Sequence, residues 1–95
     1  MTKTTILYVA ERFDIRLRDT EFARQCELLG ATTEVERALL IGMSARTLHD
    51  ARRYGRCSGI LIAQILGVLG RHRQCLVAAA HYPEFDHLFE IVVRS

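Results

Sequence analysis

The chain has 95 residues, of which 49% are hydrophobic and 25% charged, with a formal net charge of +2. This balance excludes a disordered chain, and the length gives one domain over residues 1–95 with little chain left to enclose a substrate, so no enzyme, cofactor or small-molecule substrate is expected. Three cysteines, Cys26, Cys57 and Cys75, are an odd number without a close pair, which excludes a disulfide framework and fits a reducing cytosol.

In chain order, residues 1–10 lack the apolar core and cleavage site of a secretory leader, and residues 5–9 are rich in β-branched and aliphatic types. Residues 12–18 then alternate strictly. Phe13, Ile15 and Leu17 point one way and the charges the other, as in a half-buried strand. At Asp19 the period changes. Asp19 is placed to cap a helix whose inner face is Phe22, Cys26 and Leu29, and Gly30 ends it. Thr33 and Glu36 form a capping-box pattern at the start of a second helix, with Val35, Ala38 and Leu39 inward and a stop at Gly42. Ser44 caps a third helix, from Ala45 to about Tyr54, and Gly55 terminates it.

Ser58 caps a fourth helix. Its Ile62, Ile65, Leu66, Leu69 and Leu76 hold helical spacing, so it either runs to Ala80 or breaks near Gly70. The apolar run 60–69 is interrupted by Gln64 and Gly67 and is shorter than the roughly 20 residues of a membrane span, so a soluble cytoplasmic protein without a membrane partner is expected. After Pro83, alternation returns with Phe85, His87, Phe89, Ile91 and Val93 on one strand face. The expected fold is therefore mainly α with minor β: a compact helical bundle with its N- and C-terminal strands paired, since an isolated strand leaves its backbone groups unsatisfied.

The informative segment is residues 34–53. Two short helices meet at Gly42, which is free to take a positive φ. Ala38 is small where the helices approach, and Ile41, Met43, Leu48 and Ala51 fall on inward positions. The outward positions of the next helix are Arg46, Thr47, His49, Asp50 and Arg53, all hydrogen-bonding types. Charge is segregated as well: residues 19–41 are net acidic, whereas Arg46, Arg52, Arg53 and Arg56 make residues 42–56 net basic.

The run Arg37-Ala38-Leu39-Leu40-Ile41-Gly42-Met43-Ser44-Ala45-Arg46-Thr47-Leu48 resembles the helix-turn-helix of phage lambda repressor and Cro-type (XRE-like) regulators. The ending Glu84-Phe85-Asp86-His87-Leu88-Phe89-Glu90-Ile91-Val92 is similar to the tails of small actinobacterial and actinophage members. The resemblance implies double-stranded DNA binding and transcriptional control, usually repression. Glu34 departs from the pattern, standing where the family often carries a glutamine that touches phosphate.

A helix in the major groove meets a donor and acceptor code on the base edges. Arg46 suits a bidentate guanine contact, and Thr47 and His49 a purine edge or thymine methyl. Asp50 suits cytosine N4, or serves as an i,i+3 partner of Arg53. Arg52, Arg53 and Arg56 are expected at phosphates, together with the helix-start N–H groups near Thr33 and at Ser44–Ala45.

Competing readings are plainer. Cys57, Cys75, His72 and His81 lack zinc-site spacing, so no metal is expected, and Cys26 and Cys75 read as small core residues. Glu84, Asp86 and Glu90 read as the solvent side of a strand and its turn. Phe85, Phe89, Ile91 and Val93 read as core, or as the interface of a homodimer joined through the terminal strands. Two other functions remain open: a protein-interaction module, such as a phage adaptor or antitoxin, and a DNA-bending recombination accessory protein.

Overall fold

Residues 13–93 are described by a computed structural model, in which two terminal strands bracket six helices. Strand β1 (Phe13–Leu17) pairs antiparallel with β2 (Phe89–Val93), placing Phe13 opposite Val93, Ile15 opposite Ile91 and Leu17 opposite Phe89. The fold is mainly α with minor β, and its first and last described strands pair as a two-stranded sheet, as the alternation implied. Residues 5–9, read as strand-like, lie outside the described residues.

Helix α1 (Asp19–Leu28) buries Phe22 and Cys26, and Gln25 with them. Asp19 is not its cap. Arg18 holds that position, and its guanidinium has no acceptor to cap with; the Asp19 carboxylate, inside the first turn, is engaged by Arg52, whose Nε lies 2.6 Å away. Gly30 follows the helix at φ +89, as the terminating glycine required.

Helix α2 (Glu34–Ile41) starts from a complete capping box: Thr33 Oγ1 accepts from the Glu36 N–H, and Glu36 Oε1 accepts from the Thr33 N–H. Its buried residues are Ala38 and Ile41. The inward assignment of Val35 and Leu39 is corrected, since these side chains are 61% and 76% exposed. A helix of 8 residues buries one narrow stripe, and here α3 and α4 pack against α2 along the Ala38–Ile41 stripe.

Gly42 then reverses the chain at φ +80. The turn is locked from a distance: Gln64 Nε2 donates to the Ile41 carbonyl at 2.9 Å. Helix α3 (Ala45–Tyr54) buries Leu48 and Ala51, and Gly55 ends it at φ +68. Cys57 N–H then donates to the Ile15 carbonyl at 2.9 Å, tying the loop after α3 to β1.

Helix α4 (Gly59–Arg71) is capped by Ser58, whose Oγ accepts from Leu61 N–H, and it buries Leu61, Ile65 and Leu69. The break lies at His72, two residues past Gly70, and α5 (Arg73–Ala78) continues with Leu76 buried. The His72 carbonyl accepts from Leu76 N–H at 3.1 Å, so hydrogen bonding resumes at once. Cys75 is exposed, which corrects its core assignment: Leu76 takes the one inward position of this short helix.

The strand expected from Phe85 begins only at Phe89, because α6 (Phe85–Leu88) is a single helical turn. That turn lets the consecutive residues Leu88 and Phe89 both enter the core, where strict alternation would place them on opposite faces. Phe85 stacks on Phe89 at 5.2 Å. Ile91 and Val93 are 62% and 64% exposed, so their core assignment is also corrected; only the Leu17–Phe89 end of the sheet is buried. Among the described residues no helix is long and apolar enough to cross a membrane.

Candidate nucleic-acid interface

Two anchors set the attitude of α3. Leu48 and Ala51 hold it to the core, and the Ser44 hydroxyl accepts from Thr47 N–H at 3.1 Å at its start. These anchors turn Arg46, Thr47, His49 and Arg53 outward, with Ala45 exposed at the first turn. The Arg46 side chain is 91% exposed, and its one ion-pair neighbour among the described residues is Asp50 at 3.9 Å. Asp50 thus faces Arg46 across one helical turn and is not the partner of Arg53. Arg53 instead lies over the Tyr54 ring, 5.7 Å from its centroid.

The other basic residues are less free. Arg52 is a strut: Nη2 donates to Asp19 Oδ2 at 3.1 Å and Nη1 to Glu34 Oε1 at 3.4 Å, so one side chain joins α1, α2 and α3. His49 Nδ1 lies 3.3 Å from the same Glu34 oxygen. Arg56 sits past the end of α3, with Nε 3.8 Å from Asp14. Asp19, Glu34, His49, Arg52 and Arg53 line a shallow cleft of about 350 Å³ at the α2–α3 boundary.

The start of α2 is partly satisfied by its own capping box. Glu36 Oε1 accepts from the N–H groups of Thr32 and Thr33, at 3.2 and 3.0 Å. The Thr33 backbone bond, aided by Thr32, holds the Glu36 carboxyl below its ordinary range. Of the N–H groups near Thr33 expected at a phosphate, those of Thr32, Thr33 and Glu36 are therefore already paired.

Away from α3, Glu84 pairs with Arg73, and Glu90 with Arg18 just after β1. Burial pushes the Cys26 thiol up to about 12 and raises that of Cys57, so both stay protonated at neutral pH. Among the described residues no group of three or more His, Cys, Asp or Glu side chains is arranged to hold a metal ion.

Of the residues singled out from sequence, the fold brings Ala45, Arg46, Thr47, His49, Asp50, Arg52 and Arg53 together on α3 with Ser44 as its cap, Arg52 turned to Asp19 and Glu34, and sets Thr33 and Arg56 beyond it. Two members of the surface carry little sign of that place in the local sequence: Asp19, whose partner Arg52 lies far away in the chain, and Tyr54; Glu34, which stands at the family's phosphate-contacting position, is held by Arg52 and His49. Arg53 one position before an aromatic was the single local signal for the Tyr54 stack. No protein-family model, curated protein or solved structure matches the chain.

Proposed function

We propose that the chain is a sequence-specific double-stranded DNA-binding protein that inserts α3 into the major groove. The carrying observation is the outward flank of α3: Arg46, Thr47, His49 and Arg53 are exposed, the helix is anchored from behind by Leu48 and Ala51, and Arg46 is almost fully solvated. Long exposed donors on a rigid helix are what reading base edges requires. Arg46 donates to guanine O6 and N7, Thr47 and His49 read the neighbouring edge, and Arg53 and Arg56 meet phosphates. The helix-turn-helix resemblance supports the same docking, and with it the role of a transcriptional regulator of the repressor type, acting in the cytoplasm of a bacterium or phage-infected cell.

A homodimer through the terminal strands gives each protein two such helices, set for half-sites about one helical turn apart. The exposed Ile91 and Val93 support that surface. Sedimentation as a monomer, with and without duplex, removes the dimer.

Selection from a random duplex library at stated salt tests the central reading. A consensus half-site should emerge from the wild type. Recovery of unenriched sequence contradicts the reading and favours the second one, a protein-interaction module. Val35 and Leu39, exposed one turn apart on α2, are the observation behind that alternative.

A further inference from the structure

Three basic side chains border the cleft between α2 and α3, and two carboxylates already stand among them. Glu34 is the first residue of α2, and the Thr33–Glu36 capping box fixes the turn that presents it. One of its oxygens lies 3.3 Å from His49 Nδ1 and 3.4 Å from Arg52 Nη1. Asp19 holds Arg52 independently from α1. Glu34 therefore bears its negative charge at the rim of the surface proposed to meet a polyanion.

We infer that Glu34 is a specificity-determining residue of this interface, a built-in anion that weakens binding to the phosphate backbone and holds His49 in place for base contact. The inference rests on the DNA-binding reading. Its physical basis is that binding to random sequence is almost wholly electrostatic, so a fixed carboxylate that offsets neighbouring cations weakens it directly. A cognate duplex gains base contacts that offset the same repulsion, one of them from His49 held by Glu34. Discrimination built on an element unfavourable to the wrong partner is a general device.

The test measures duplex binding across a salt series for the wild type, Glu34→Gln, Glu34→Asp and Glu27→Gln. Glu27 lies outside the cleft, on Arg37, so its variant makes the same change in net charge elsewhere. A thermal melt establishes that each variant is folded; in Glu34→Gln, Arg52 keeps its bonds to Asp19.

For Glu34→Gln, affinity for a random 20-bp duplex should rise about tenfold at low salt, and the salt slope should steepen, because a relieved repulsion counts for less as salt screens it. The preference for the selected duplex over the random one should fall by about the same factor. Glu27→Gln should follow the wild type on both duplexes, and Glu34→Asp, which keeps the charge, should follow it on the random one. An unchanged slope in Glu34→Gln, or an equal change in Glu27→Gln, overturns the inference while leaving DNA binding intact. Failure of both the wild type and Glu34→Gln to bind any duplex at low salt overturns both.

Discussion

Ala80 has a φ of +63, and it is the one residue other than glycine with a positive φ among the described residues. The position ends α5: Ala80 N–H donates to the Val77 carbonyl and His81 N–H to the Leu76 carbonyl, both at 2.9 Å. A Cβ in this region costs about 1–2 kcal/mol, part of which glycine returns as greater freedom of the unfolded chain. Ala80→Gly should therefore stabilise the fold by about 0.5–1 kcal/mol, read as a higher midpoint in urea unfolding; a lower midpoint contradicts the strain. Single residues were legible in the sequence where their partners are local. Thr33 with Glu36, Ser44 with Thr47, and Gly42 and Gly55 at helix ends all act within one turn, and each took its expected role. Arg52 was not legible, because Asp19 and Glu34 stand 33 and 18 positions away.

Among the elements, α3 is tied to α1 and α2 by Arg52 as well as by its apolar face. With its side chain only 25% exposed, Arg52 acts on the docking of α3 more than as a loose cation. Arg52→Ala should lower unfolding stability by about 1 kcal/mol and leave the salt dependence of duplex binding near that of the wild type. A salt slope reduced by about 0.9 with unchanged stability assigns Arg52 to phosphate instead. Periodicity placed every described helix of more than one turn, yet it misjudged the exposed stripe of α2 and the turn of α6. In α2 the apolar residues fill more of the circumference than its neighbours cover, and Val35 and Leu39 are the remainder. In α6, Phe85, His87 and Phe89 alternate as a strand would, but the burial of Leu88 beside Phe89 outweighs that pattern.

For the whole molecule, Glu21 joins the N-terminal helix to the C-terminal segment. His81 Nδ1 lies 2.7 Å from its carboxylate, and Gln25 bridges it to the Tyr82 carbonyl. Burial alone raises the Glu21 carboxyl, but the bonds from His81 and Gln25 outweigh that and hold it below 4.5. A carboxyl depressed in the folded state contributes stability in full above its unfolded value and loses it as pH falls through the folded one. Stability should therefore decline below pH 4.5, and Glu21→Gln should flatten that acid limb in urea midpoints taken against pH. An acid limb as steep as the wild type's removes Glu21 as a contributor. The fold class and strand pairing were legible from the change between the two periodicities, whereas the charge placement around α3 required three helices to be brought together. The most direct measurement is the affinity of the wild type and Arg46→Ala for the selected duplex and for a random one. The account predicts a loss of about 1–3 kcal/mol for Arg46→Ala on the selected duplex and a smaller loss on the random one, with base preference relaxed at one position. Equal affinity of the two proteins for the selected duplex contradicts it.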